Sequence, residues 1–598
     1  MFDLIIGGGM ICDGTGRPAF EADIGISGDR IAFLGKIHQA DFPDGSETAG
    51  TGASGCRIID ARGKIVTPGF IDPHTHADLS VLTHPQMEPY LKQGVTTVVT
   101  GNCGYSMAPQ GKETFYWSAL DLDFAEKTGA DLYETQVLIH DRLAAKAALR
   151  ECCGVDLDWY TFGEFLRKCE RLPLGCNQAC LIGYSAVRTA AMGRDCLREA
   201  TEEEMRVMES MVREAMEEGA FGISTGRDPI YLPGPYATEE EMRRMLSVVA
   251  AYGGIFSSHT YNCDQEGKPD RIGGYREMMA QARGTGIRTN ISHVHVMNMA
   301  QNGEEAVRTA KATLSYFREL EASGADLSYD VIPSASCADF TQKSFGYFIL
   351  PLVCEAGSRK KLAEAFRMPE YRRQVHRMIE EEGKMPTLNV DSDTCWLGEM
   401  IILAHKNEEY KGKYLLDCAE QMNLPPLDAM MDLFAEDPDM IADMVAPDFS
   451  EAVDLLCMQD NAMPCSDGSS YPKETNLTGW GEIPVYPNSM NVGYIPRYLT
   501  RYGRNHLERA VRQATGYVAE RFGIAGRGLI REGCYADLVV LDMERLHSYD
   551  EAEDPLQDPE GIEYVLVNGR IAVEDQKLTG AAAGLMLRKG RELRWTKE

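Results

Sequence analysis

The chain of 598 residues is long enough for one large core with accessory units, and its 44% hydrophobic and 25% charged residues are those of an ordinary globular protein. A formal net charge of −31 repels phosphate backbones and anionic membrane surfaces, which argues against nucleic acid and membranes as partners. No apolar stretch approaches the roughly twenty residues that span a bilayer, the first residues carry no basic export signal, and the 17 cysteines form no CxxC pairs, so the expectation is a reduced, cytoplasmic protein.

Residues 1–66 predict short strands, Phe2 to Ile6, Ala22 to Ser27, Arg30 to Leu34 and Arg57 to Ile59, broken by Gly7-Gly8-Gly9, Asp13-Gly14 and Gly28-Asp29. The triple glycine completes no GxGxxG fingerprint and reads as a turn. From residue 67 to 330 short apolar strands alternate with amphipathic helices. Strands are expected at Thr96 to Thr100, Gln178 to Ile182, Gly222 to Ser224, Gly254 to His259, Arg288 to Ser292 and Ala325 to Asp330. Helices are expected at Glu202 to Glu218, Thr238 to Tyr252 and Gly274 to Gly284. Alternation of this length argues for parallel βα units, and this many of them for an α/β fold with a (β/α)8 TIM-type barrel. Two stretches, 110–160 and 335–450, interrupt the rhythm as helical, charged insertions. The rhythm returns at Met463 to Gly468 and in a helix from Asn505 to Arg521, and after Gly533 two further strands follow. The expected division is therefore 1–66, 67–525 and 526–598, with both termini forming one small β-sandwich domain beside the barrel.

Chemistry enters at Gly69-Phe70-Ile71-Asp72-Pro73-His74-Thr75-His76, where two histidines at i and i+2 leave the same face of an extended segment. Two imidazoles on one rigid edge make half of a first-row metal site. Four further positions have suitable chemistry at strand ends: Cys103, His259, His293 and Asp467. Each alone is weak, since a lone cysteine is commonly a buried filler and a lone histidine a hydrogen-bonding residue. Together they offer sulfur, nitrogen and oxygen donors, a mixture that suits zinc.

The HxH after a strand, the later single histidines and the terminal aspartate resemble the amidohydrolase superfamily. The segments GNCGYSMAP, GAFGISTG, SSHT, ISH, CSDG, GCYADLVVLD and GIEYVLVNG, in order along nearly the whole chain, resemble its N-acyl-D-amino-acid deacylase (D-aminoacylase) branch. That resemblance implies a tight zinc site made by Cys103, His259 and His293. It also implies a weaker second position at His74, His76 and Asp467 that shares the Cys103 thiolate. The implied reaction is hydrolysis of a C–N amide bond in a small N-acyl substrate, with zinc-bound hydroxide attacking the carbonyl and Asp467 as general base, then acid.

The chain departs from the family where the substrate's α-carboxylate is usually held. His295 stands at the position of a lysine, Asp330-Val331-Ile332-Pro333-Ser334 where tyrosines are expected, and Tyr486-Pro487-Asn488 in place of an HPR run. A GH pair reads Gly183-Tyr184. A carboxylate buried without charged partners is strongly disfavoured, so a non-standard N-acyl substrate is expected, with His295, Tyr184 and Asn488 as candidate contacts. Arg227 is the candidate replacement cation; its competing role is a surface arginine paired with Asp228. Two other activities compete, a hydantoinase-like cyclic-amide hydrolase and an aminohydrolase acting on a nitrogen heterocycle. Cys103 argues against the first, where a carboxylated lysine bridges the metals, and its GNCG context against the second. A catalytically silent scaffold is a third reading, but such a relative should have lost ligands.

Overall fold

The computed structural model describes residues 2–37, 56–117, 131–132, 138–228, 231–261, 270–296, 300, 302–335, 345, 349–381, 395–472, 489–549 and 557–591. Asn488 and the Tyr486-Pro487 pair before it lie outside the described residues.

The chain is an α/β protein. Val95–Thr100, with the sequence VTTVVT, is buried at every position, as a β-branched strand covered on both faces must be. It lies between Phe70–Asp72 and Asn177–Cys180, parallel to both. A second, wholly parallel sheet runs Ile182–Gly183, Gly222–Gly226, Ile255–His259, Arg288–Ile291, Leu327–Val331, Ala462–Pro464. Helices connect successive strands. Glu202–Glu218 starts on a capping box between Thr201 and Glu204, stops at Gly219 in the left-handed region, and buries Met208, Val212, Ala215 and Met216. A core of Ile71, Val99, Ala179, Leu181, Phe221, Ile255 and Met463, packed on Val518, Ala519 and Phe522, joins both parallel sheets. That shared core holds the strand ends in fixed relation to one another.

Both termini enter one nine-stranded sheet. Within it Leu4–Ile11 pairs parallel with Arg57–Asp60 and Ile65–Pro68, and antiparallel with Phe20–Ser27. Ile65–Pro68 in turn pairs antiparallel with Leu538–Leu541, so residues near the two ends of the chain are hydrogen-bonded neighbours. Among the described residues no helix is long and apolar enough to cross a membrane.

Three expectations are corrected. Gly7-Gly8-Gly9 is not a turn but the middle of the strand Leu4–Ile11. The register slips between Ile6 and Gly9, and Gly8, at φ +71, forms a bulge whose N–H reaches Asp23 Oδ1 at 2.7 Å. The stretch 110–160 is not simply helical: Thr114–Trp117, Leu138–Asp141 and Asp131–Leu132 form a small antiparallel sheet before the helix Arg142–Cys153, and 335–450 likewise contains the pair Met400–Ala404 and Ile441–Met444 beside its helices. The helix expected from Asn505 to Arg521 is two, Leu507–Gln513 and Gly516–Phe522, separated by Thr515 at φ −140°, ψ −90°.

Candidate metal centre

His74 and His76 follow directly on Phe70–Asp72. The buried Asp72 carboxylate accepts the His74 N–H at 3.1 Å and the Ser466 N–H at 3.3 Å. Burial, only partly offset by these bonds, pushes its pKa up to about 7. The histidine segment and the Asp467 segment are then zipped by backbone: Asp467 N–H to His74 O at 3.1 Å and His76 N–H to Gly468 O at 2.7 Å. Both imidazoles consequently meet one carboxylate oxygen, with His74 Nε2 and His76 Nε2 each 3.2 Å from Asp467 Oδ1.

Cys103 belongs to the loop after Val95–Thr100. Gly101, at φ +79, passes so close to Leu181 that a Cβ there would lie 2.2 Å from its carbonyl oxygen, and this close approach requires glycine. Asn102 Nδ2 donates to Val99 O at 3.0 Å and pins the turn. His259 and His293 stand at the ends of the next strands. Cys103, His293 and Asp467 all adopt left-handed backbone, at φ 52°, 31° and 51°. Such conformations cost free energy and persist where the surroundings dictate them, which is characteristic of functional sites.

The donor atoms converge. Cys103 Sγ is 3.3 Å from His74 Nε2, 3.4 Å from His293 Nε2 and 4.0 Å from His259 Nδ1, and His259 Nδ1 lies 2.7 Å from His293 Nε2. Two sets of metal-ligating atoms result, His74–Cys103–His293 and His74–His76–Asp467, with His259 beside the first. Two aspartates orient the rings from behind. Asp228 Oδ2 accepts from His259 Nε2 at 2.8 Å, turning Nδ1 inward. Asp330 Oδ1 lies 3.0 Å from His74 Nδ1 and accepts the His293 N–H at 2.6 Å.

Electrostatics tests whether these residues fit a cation. Burial raises the Cys103 thiol, but the charge of His74 and hydrogen bonds from His259, His74 and His76 outweigh it and bring the pKa down to about 6. Burial disfavours protonated imidazole at His76 and His259, yet hydrogen bonds to Asp467 and to Asp228, with the Cys103 thiolate, raise them to about 10 and about 9. His293, buried and beside His259 and His74, is held well below its ordinary value and is neutral. A buried thiolate and carboxylate therefore draw positive charge toward themselves. A divalent cation supplies that charge without protons, and the S, N and O donors fit zinc.

The residues nominated for substrate binding divide differently. Tyr184 is buried and its hydroxyl donates to Glu241, which also binds Arg188, within a closed polar network. Arg227 does not pair with Asp228 and is not on the surface. It is buried, bonded to Gly234 O and Ala237 O and ion-paired with Glu277 at 2.5 Å. His295 stands beside the centre, its ring centroid 6.0 Å from that of His293. Sequence reasoning missed the orienting roles of Asp228 and Asp330, although both lie at strand ends, and it missed Tyr231, whose ring lies 4.1 Å from that of His259.

A buried Cys/His/Asp cluster at the ends of parallel strands is a donor set of the kind that holds the ion of a metal-dependent hydrolase. The profile of the Amidohydrolase family matches residues 57–151 and 487–573. The chain is 30% identical to D-aminoacylase of Alcaligenes xylosoxydans xylosoxydans over 591 residues, 98% of this chain and 97% of that protein. It superposes on a crystal structure of D-aminoacylase with a TM-score of 0.69 at 28% identity, covering 98% of this chain and all of that one. An N-acyl-D-glutamate deacylase from Bordetella bronchiseptica, complexed with zinc and a phosphonate mimic of the tetrahedral intermediate, gives 0.67 at 26% identity, with 98% and 99% covered. The chain belongs to the D-aminoacylase family of the amidohydrolase superfamily.

Proposed function

We propose that the protein is a zinc-dependent amidohydrolase that cleaves the C–N amide bond of a small N-acyl substrate whose recognition group is held unlike that of its relatives. The observation that carries this reading is the convergence of Cys103, His259 and His293, and of His74, His76 and Asp467, into two adjoining sets of donor atoms. Cys103 and His259 with His293 would hold the tight ion, and His74, His76 and Asp467 the weaker one. Zinc bound there supplies Lewis acidity toward the amide carbonyl and an activated water at neutral pH. Asp467 takes a proton from the attacking water and returns it to the departing nitrogen, so that amide and water become carboxylic acid and amine. Asp228 and Asp330 keep the rings in register throughout.

The same reading extends to architecture. We read the two parallel sheets as one closed (β/α)8 barrel. Only Leu181 separates Asn177–Cys180 from Ile182–Gly183, and a parallel bridge between Thr75 and Gly468 joins the opposite edges. The site then occupies the C-terminal ends of the strands, where such barrels carry their chemistry. Residues 1–66 and 526–598 are read as one β-sandwich domain around the nine-stranded sheet, and 110–160 and 335–450 as insertions into the barrel.

The test is release of primary amine by zinc-loaded protein from paired N-acyl-D- and N-acyl-L-amino acids and from matching amides that lack the carboxylate. Release that depends on zinc and favours one enantiomer is expected. No release from any amide, with zinc bound, overturns the reading.

A further inference from the structure

Among the described residues, one buried cation next to the centre has no anion paired with it. Arg271, the first residue of the helix Arg271–Ala282, is only 5% exposed. Its Nη2 lies 3.0 Å from Nε2 and 3.4 Å from Nδ1 of His295, so one guanidinium nitrogen sits against the imidazole, and its Nε has no hydrogen-bond partner. Among the described residues no carboxylate forms an ion pair with it. The acids nearest to it along its own helix are engaged: Asp270 caps the helix by accepting the Gly273 N–H at 2.8 Å, and Glu277 pairs with Arg227. A guanidinium taken out of water without a counter-charge is strongly disfavoured, so the fold keeps one here only where an anion arrives.

Geometry says where that anion sits. His295 is partly exposed, so the Arg271–His295 pair is not sealed from the site, and the His295 ring neighbours that of the candidate ligand His293. In an N-acyl amino acid only the amide nitrogen and the α-carbon separate the scissile carbonyl from the carboxylate. A carbonyl at the metal centre therefore brings the carboxylate within reach of groups one ring beyond His293. A guanidinium offers two parallel N–H donors to a carboxylate and remains charged at any working pH.

Resting on the amide-hydrolysis reading above, we propose that Arg271 anchors the carboxylate on the amine side of the scissile bond, with His295 as the residue that positions the guanidinium. The substrate class is then the N-acyl amino acids. The charge at the place of the expected lysine is delivered from a helix start instead of from position 295, and Arg227 has no part in it.

The experiment compares zinc-loaded wild type, Arg271→Met and Arg271→Lys on both enantiomers of N-acetylleucine and on N-(3-methylbutyl)acetamide, the same amide without its carboxylate. Arg271→Met is expected to lower kcat/KM for the acid about 100-fold, chiefly through KM, with the carboxylate-free amide changed less than about 3-fold and Arg271→Lys intermediate on the acid. Equal losses on both substrates would make Arg271 structural, and no loss on either would remove it from recognition. Should Arg271→Met fail to fold or to hold zinc, Arg271→Lys decides, because it must still raise KM for the acid alone. Wild type that hydrolyses neither compound overturns the amide reading. Calorimetric titration of N-acetylleucine then still judges the anchor, since a binding heat abolished by Arg271→Met supports it and one unaltered, or absent from wild type, overturns it.

Discussion

Each donor at the centre is held by something behind it, and Asp228 shows how much that support contributes. Its carboxylate fixes the tautomer of His259 by accepting from Nε2, leaving Nδ1 to face Cys103 and His293. Partners of this kind commonly tune metal affinity by 10–100-fold, so Asp228→Ala should weaken zinc binding by about that factor in competition with a chromophoric chelator, without loss of fold. Unchanged affinity would show that His259 is not a ligand. At this scale the six candidate donors stood out in the sequence because histidine, cysteine and aspartate at strand ends are chemically distinctive, and the structure brings them together. Asp228, Asp330 and Arg271 were not. Their roles depend on which side chain they meet across the fold, and neither an aspartate after a strand nor an arginine opening a helix carries a period or a motif. Arg227 drew attention as the nearest visible cation, yet its neighbour Asp228 is the residue that touches the site.

At the scale of elements, alternation of apolar strands with capped helices was readable because both periods are strong, as in VTTVVT and in the Thr201–Glu204 capping box. The triple glycine was misread because glycine licenses bulges and turns alike, and only pairing with Phe20–Ser27 distinguishes them. The seam between the termini depends on the same kind of distant pairing, and it can be tested. Lys64 Nζ lies 2.7 Å from Asp542 Oδ2 and 2.7 Å from Glu563 Oε1, tying the entry of Ile65–Pro68 to the C-terminal strands. The hydrogen bond from Lys64 lowers the Asp542 pKa from 3.8, and bonds to Asp542 and Glu563 raise that of Lys64 from 10.5. A lowered carboxylate contributes stability above its ordinary value that is lost as pH falls through the folded one. A raised amine contributes stability below its ordinary value that is lost as pH rises through the folded one. Lys64→Met should therefore destabilise by about 1 kcal/mol near neutral pH, as partly exposed ion pairs do. In thermal melts that difference should be flat across neutral pH and should shrink at the acid end below the ordinary carboxylate pKa and at the alkaline end above that of lysine. A difference independent of pH over that whole range would mean that the lysine acts through packing alone.

For the whole molecule, the centre gathers side chains from positions 74, 76, 103, 259, 293 and 467, which span most of the 598-residue chain. A cation there is a crosslink between strands that are far apart in sequence, and it also relieves an electrostatic conflict. Without it a buried thiolate, two orienting carboxylates and Asp467 must hold protons on imidazoles whose burial opposes charge. An ion bound by the folded chain alone stabilises it by RT ln(1 + [L]/Kd), about 4 kcal/mol at a thousandfold excess over Kd. Chelation should consequently lower the melting temperature, and zinc should restore it, with the midpoint rising as free zinc rises. Cys103→Ser should reduce that zinc dependence sharply, because an alcohol is not a thiolate at neutral pH and the tight set loses its soft donor. If the chelated and zinc-loaded proteins melt together while zinc analysis shows the ion bound in one and absent from the other, the cluster is preorganised by its backbone alone. The left-handed conformations of Cys103, His293 and Asp467 would then be maintained by the strand framework and not by the metal.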